Sequence, residues 1–249
     1  MIDFSGKQIF VTGASSGIGR SVAIVLSQLN ARLIITGRNS EKLLETYELL
    51  QNQQDHFCKA MDIDSIEFAS ELLEISQLRG RVSGFVHCAG IHEVTPFASL
   101  NLDKVDQVIS TNVLPAFKLL KHFSKRQYLE SNSSFVFLAS VAGLFGQPGI
   151  SAYAASKGAI IALVKSAALE LARQGVRVNA VAPGVVETEM TARLSAKMTE
   201  EQFQMIKNMH PLGIGTSKDV ANAVCFLLSD AISWITGTTL VVDGGYSAS

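Results

Sequence analysis

No apolar run in this 249-residue sequence approaches the ~20 residues that a bilayer-spanning helix needs; the candidate AIIALV stops at Lys165. Cysteine is scarce. Its three residues, at 58, 88 and 225, are far apart and form no CxxC, which predicts three buried thiols in a reducing compartment. The five histidines show neither HxxxH nor HxH spacing, so no metal site is expected. Charge of either sign is sparse as well. Twenty-one Lys and Arg against 22 Asp and Glu leave a net charge of −1, with no electrostatic hold on nucleic acid or an anionic membrane. The opening MIDFSGKQIFVTG lacks a basic segment followed by a long apolar one, so no secretory signal is expected and the expected address is the cytoplasm.

What is present is the material of a large core: 47% hydrophobic residues against 17% charged. A chain of this length buries roughly 70–75% of the surface it exposes when unfolded. Short β-branched runs alternate with helical patterns. Strands are predicted at 8–12, 32–36, 56–60, 84–88, 134–140, 176–182 and 239–243. Helices are predicted at 17–30, 40–52, 65–77, through Asn112 to Phe123, 151–172 and 217–228. Continuously apolar strands between helices indicate a parallel sheet covered on both faces, with right-handed crossovers. The predicted fold is therefore a single-domain, Rossmann-type, doubly wound α/β sheet of about seven strands. No repeat or Pro/Gly/Ser linker divides residues 1–249, and the least regular stretch, about 185–215, is a candidate substrate lid with no obvious sheet pairing.

Between the first strand and first helix, VTGASSGIGR places Gly13, Ser15, Ser16, Gly17, Ile18 and Gly19. Glycines there allow a tight turn and let a pyrophosphate approach the helix N-terminus; an ordinary tight turn is the alternative. The second strand ends in Gly37–Arg38 rather than a carboxylate. A carboxylate at this point suits the free ribose of NAD, whereas an arginine can hold a 2′-phosphate, so NADP(H) is expected over NAD(H). A solvated surface arginine is the competing reading.

Taken together, TGASSGIG, the Asp62 of MDID, the AG of HCAG, Asn112 in TNVLPAF, Ser140, YAASK, PGVVET and the ITGTTLVVDGG tail resemble the short-chain dehydrogenase/reductase family from end to end. PGVVETEMT and the C-terminal segment look most like the bacterial 3-oxoacyl-(acyl-carrier-protein) reductases in that family. The resemblance implies that Asp62 holds the adenine amine, with a backbone contact from Ile63. It implies that Cys88, Ala89 and Gly90 line the adenosine ribose. Tyr153 and Lys157 would reach the nicotinamide ribose, and Pro183, Gly184, Val186 and Thr188 the nicotinamide. Asn112 would hold a water linking Lys157 to solvent. Two positions depart from the pattern: Cys88 stands where asparagine is frequent, predicting a lost hydrogen-bonded tie, and Ile214 where arginine is frequent.

Tyr153 and Lys157 lie one helical turn apart. A phenol titrates near 10, and an adjacent cation lowers that value, which suits a general acid at neutral pH. Ser140, at the carboxyl end of a strand, is placed to orient a carbonyl oxygen. The expected chemistry is NADPH-dependent reduction of a ketone, small or acyl-carrier-linked. A sugar, steroid or small carbonyl is the alternative substrate, and a non-catalytic dinucleotide sensor the remote one. The loop after Ser140 (VAGLFGQPG), the segment after Gly90 (IHEVTPF) and the lid are expected to wall the substrate pocket, with Phe97, Leu144, Phe145, Val185 and Met190 making it mostly apolar. Lys121, Lys125 and Arg126 form either a carrier-docking patch or a solvated face. The helix at 151–172 is apolar nearly all round, which suggests burial in a homotetramer.

Overall fold

Alternating strands and helices condense around one parallel sheet in the structure, a computed structural model that describes residues 2–196 and 198–248. The first half runs β1 (Gln8–Thr12), α1 (Gly17–Gln28), β2 (Arg32–Gly37), α2 (Ser40–Glu48), β3 (Phe57–Ala60), α3 (Phe68–Arg79) and β4 (Val82–His87). Two helices follow, α4 (Leu102–Asn112) and α5 (Leu114–Phe123), and then β5 (Leu129–Leu138), α6 (Ser151–Leu171) and β6 (Arg177–Pro183). The remainder comprises β7 (Val186–Glu187), α7 (Glu189–Ser195), α8 (Glu200–Asn208), β8 (Gly215–Thr216), α9 (Ser217–Leu228) and β9 (Thr239–Val242). The seven-stranded sheet has the order β3-β2-β1-β4-β5-β6-β9, with every pair parallel. Strand order reverses between β1 and β4, which opens a crevice at the carboxyl edge.

Period-two alternation divides the apolar residues between two faces. Phe10, Ile34, Phe85, Phe135 and Phe137 point to one core with α3, α5 and α6; Ile9, Val11, Leu33, Ile35, Val86 and Val136 point to the other with α1 and α9. Phe85 anchors the first core, stacked on Phe135 at 4.2 Å and edge-on to Phe137 at 5.2 Å.

Several expectations are corrected here. The single helix expected through Asn112 is two helices, broken at Val113 because Pro115 supplies no N–H and its ring clashes with the preceding turn. Asn112 thus ends α4 instead of lying inside one helix. The 185–215 segment has a sheet pairing after all: Val186 and Glu187 pair in parallel with Gly215 and Thr216, with α7 and α8 between them. Of the thiols only Cys225 is buried; Cys58, on the edge strand β3, and Cys88, just past β4, are partly exposed, and all three are free. Helix α6 with its final turn, Ser151–Gln174, is long and apolar enough by length and composition to cross a membrane. It packs instead on the sheet, with Ile160, Ile161, Val164, Ala168 and Leu171 in the first core.

Two buried histidines tie neighbouring elements within a layer as neutral rings. His87 Nδ1 meets the Thr12 hydroxyl at 2.8 Å, joining β4 to β1, and burial pulls its pKa to about 3. His122 meets the Ser76 hydroxyl at 2.8 Å and stacks on Tyr128; burial, then Lys125, pulls it to about 4. The unfolded chain protonates both near 6.5 while the native chain does not, so stability falls as pH drops from that value toward about 4. Each ring contributes a slope of about 1.4 kcal/mol per pH unit. Urea unfolding between pH 4 and 7 is expected to show His122→Gln with a shallower pH dependence, by about one proton; an unchanged slope contradicts this assignment.

Candidate active site

The turn between β1 and α1 is held from three sides. Gly13 has φ +68°, and a Cβ added there would lie 2.7 Å from the Ala89 nitrogen, so only glycine fits. The Ala14 N–H donates to the Thr36 carbonyl (3.0 Å), and Arg20 Nη2 donates to the Ser15 carbonyl (2.8 Å). Ser16, the N-cap of α1, makes no side-chain cap bond, and the first turn carries no acidic residue. The amides of Gly17, Ile18 and Gly19 therefore face out of an uncapped, partially positive helix end. That arrangement fits the pyrophosphate of a dinucleotide.

The other candidate cofactor positions follow the carboxyl ends of neighbouring strands. Arg38 is exposed beyond β2 and makes no hydrogen bond or ion pair with a described residue. A Cβ on Gly37 would lie 3.0 Å from Ser15 Oγ, so this strand end abuts the phosphate turn. Past β3, Asp62 is exposed and its Oδ1 accepts from the Asp64 N–H at 3.1 Å. Ile63 is buried, and its carbonyl accepts from Lys118 at 3.2 Å. Cys88, Ala89 and Gly90 follow β4. Pro183 ends β6, Gly184 donates to the Val242 carbonyl (3.0 Å), Val186 lies in β7, and Thr188 caps α7 through the Thr191 N–H.

At the reacting end, Ser140 stands two residues beyond β5 and caps a short turn, its hydroxyl accepting from the Ala142 N–H at 3.2 Å. Gly143 in that turn presses on α6: an added Cβ would lie 2.7 Å from the Gly158 nitrogen. Strand end and helix are thereby fixed to each other by backbone contact. Lys157, buried in α6, donates to the Leu138 carbonyl at 2.8 Å, and its ammonium lies 5.7 Å from the centre of the Tyr153 ring. Burial pulls this amine down to about 8.

The phenol departs from the expectation of a lowered pKa. Burial raises Tyr153 above its ordinary value, with only a hydrogen bond to Ser140 acting in the other direction. The Lys157 ammonium donates to the Leu138 carbonyl, and at the phenol desolvation is the largest influence. The Asn112 side chain is fixed by Ile91 and Ser156. Its Oδ1 accepts from the Ile91 N–H (2.8 Å), and its Nδ2 donates to the Ile91 carbonyl (2.9 Å) and the Ser156 hydroxyl (2.9 Å).

These groups open on a cavity of about 450 Å³ lined by Ser140, Tyr153, Lys157, Pro183, Gly184 and Cys88 among others. Burial raises the Cys88 thiol to about 12, so it stays protonated, and it makes no hydrogen bond with a described residue. Val185 and Met190 line the cavity as expected; Phe97, Leu144 and Phe145 do not, being 80%, 42% and 43% exposed. Ile214 lies outside the lining too. The three expected wall segments supply further lining residues, Gln147 from the loop after Ser140, His92 from the segment after Gly90, and Phe203 and His210 from the 185–215 stretch; sequence reasoning missed Tyr246. The His210 ring accepts from the Val185 N–H at 3.2 Å, bonds the Ile206 carbonyl at 2.8 Å and stacks on Tyr246. Gln147 donates to the Tyr246 hydroxyl at 2.6 Å. Lys121, Lys125 and Arg126 are exposed but precede β5, at the amino edge of the sheet, opposite the cavity.

Comparison with known proteins agrees with this geometry. Residues 13–247 match a family model described as Enoyl-(Acyl carrier protein) reductase. A 3-oxoacyl-(acyl-carrier-protein) reductase of Rickettsia felis is 36% identical over 246 residues, covering 98% of each chain. The Thermotoga maritima protein of the same name is 35% identical over 245 residues, covering 96% of this chain and 97% of the relative. Among solved structures, a short-chain dehydrogenase/reductase from Brucella melitensis, titled glucose/ribitol dehydrogenase, superposes with a TM-score of 0.90 at 31% identity, covering 98% of each chain. The chain belongs to the short-chain dehydrogenase/reductase family and is an NAD(P)-dependent oxidoreductase acting on hydroxyl and carbonyl groups.

Proposed function

We propose that the protein is an NADPH-dependent reductase of a 3-oxoacyl thioester, with Tyr153 as general acid. One observation carries the reading: Ser140, Tyr153 and Lys157 converge on a single apolar-walled cavity at the same sheet edge as the uncapped N-terminus of α1. The names of the Rickettsia and Thermotoga relatives support the substrate class.

Gly13, Ser15, Ser16, Gly17, Ile18 and Gly19 would hold the pyrophosphate, and Arg38 the 2′-phosphate. Asp62 and Ile63 would hold the adenine, Cys88, Ala89 and Gly90 the adenosine ribose. Lys157 and Tyr153 would meet the nicotinamide ribose, and Pro183, Gly184, Val186 and Thr188 the nicotinamide. When bound, the cofactor supplies hydride. The chain's own groups do the rest. The Ser140 hydroxyl orients the carbonyl oxygen, and Tyr153 transfers its proton to that oxygen as the alcohol forms. The Lys157 ammonium stabilises the resulting tyrosinate. Asn112, its side chain fixed by Ile91 and by Ser156 of α6, would hold the water that links Lys157 to solvent. The segment 185–215 is proposed as the substrate lid, with α8 supplying Phe203 to the cavity. Three free cysteines suit a reducing cytoplasm. Outward-facing Leu114, Phe117 and Leu169 on α5 and α6, at 50%, 52% and 80% exposure, support a homotetramer.

A second reading, a small free carbonyl or sugar alcohol, is favoured by one observation. The basic residues Lys121, Lys125 and Arg126 lie on the sheet edge opposite the cavity, where a carrier docked on them would not deliver its acyl chain to the same subunit. A screen of 3-oxoacyl thioesters, sugars and plain ketones, following NADPH absorbance, separates the two.

Tyr153→Phe is expected to lower kcat by about 10²–10⁴-fold while NADPH binding, followed by fluorescence, is retained. Near-normal turnover in that variant rejects the acid assignment. Arg38→Ala is expected to lower kcat/KM for NADPH by about 10-fold or more and leave that for NADH little changed, since charge-assisted bonds to one phosphate are lost. Equal loss with both cofactors removes Arg38 from the 2′-phosphate site.

A further inference from the structure

The cavity holds one ring that the chemistry above does not use. His92 lines it and packs on the Tyr153 ring with centroids 4.3 Å apart and planes at 51°. Its backbone is held rigidly. Ile91, the residue before, is bonded through both N–H and carbonyl by Asn112, and the Thr95 N–H donates to the Gly149 carbonyl at 2.6 Å. Yet the ring makes no hydrogen bond with a described residue, and its Nδ1 is buried without a partner. The other ring nitrogen, Nε2, is also unpaired but is not buried, so it is the atom this cavity-lining ring offers to a ligand. Burial also holds the ring below its ordinary pKa, with Lys157 acting in the same direction and Glu93 opposing, so it is a neutral imidazole with one N–H and one lone pair.

We propose that His92 is a specificity-determining residue that donates a hydrogen bond to a second carbonyl oxygen, two carbons from the one Tyr153 protonates. This inference rests on the 3-oxoacyl reading and sharpens it. A 3-oxoacyl thioester carries just such a second oxygen on the carbon bonded to sulfur; a plain ketone or simple alcohol carries none. Because His92 and Tyr153 are in ring contact, a donor on one and an acid on the other address neighbouring oxygens of one substrate. A site that offers a hydrogen bond discriminates against an analogue lacking the partner atom, since its own polar group is left unpaired.

The test compares an acetoacetyl thioester of N-acetylcysteamine with a methyl ketone of matched length. His92→Phe keeps a ring against Tyr153 and removes the donor; His92→Gln keeps a donor without the ring. His92→Phe is expected to lower the ratio of kcat/KM, thioester over ketone, by about 10-fold, mostly through KM, and His92→Gln to restore much of it. The Kd of the thioester in the NADP⁺ complex, by calorimetry, is expected to shift by the same factor, and NADPH affinity reports that each variant is folded. Equal losses on both substrates, or none, overturn the assignment and leave His92 a packing residue. A wild-type enzyme that turns over the ketone through Tyr153 but shows no preference for the thioester rejects the 3-oxoacyl reading itself, and is seen before any His92 variant is made.

Discussion

A buried ammonium bonded to a strand-end carbonyl sets the geometry on which everything else depends. Lys157 Nζ to Leu138 O, at 2.8 Å, ties the middle of α6 to the last residue of β5. Ser140 lies two residues beyond that carbonyl and Tyr153 one helical turn before that lysine, so one bond places both around the reacting point. Burying a cation without a carboxylate beside it is unfavourable, as its pull down to about 8 records. The fold tolerates it because the two elements are held independently, by the approach of Gly143 to α6 and by α6 packing on the sheet.

The same burial acts on the phenol with opposite consequence. It raises Tyr153, so in the proposed reduction the side chain would hold its proton until an added positive charge or the forming alkoxide drew it off. An acid that stays protonated at rest and surrenders its proton only during reduction is better matched to the task than one already ionised. Around it Asn112 links the end of β4 to α6, and His210 and Tyr246 link α8, the β6–β7 connection and the C-terminal turn. The site is thus a junction of loops from several strands, each fixed by a named hydrogen bond.

The sheet was legible in the sequence because most of its strands carry short apolar runs, and β1, β2, β3, β6 and β9 fall within a residue of expectation. Less legible was what depends on interruption or distance. Pro115 splits a helix whose pattern reads as continuous, and β7 pairs with β8 through two residues each, too short to show a period. The glycine turn, Ser140, Tyr153 and Lys157 were legible as candidates because strand ends and a one-turn spacing locate them. The segments carrying His92, Gln147 and His210 were legible as walls, though not the residues themselves, and Tyr246 was not, since it comes from the C-terminal turn and meets the site only in the folded chain. Phe97, Leu144 and Phe145 show the converse: aromatic or branched character near the right loops, but side chains turned to solvent. The direction of the Tyr153 shift was misread for a related reason, because one-turn spacing reveals a charge's proximity and nothing of the desolvation that outweighs it.

The central claim is that the buried Lys157 charge makes the Tyr153 proton transferable once NADP⁺ adds its own. Titrating ¹³Cζ-labelled tyrosine by NMR in the NADP⁺ complex tests it most directly, with Lys157→Met as the comparison. The account predicts a Tyr153 pKa below its ordinary 10.0 in the wild type and above it in the variant; the same value in both contradicts it.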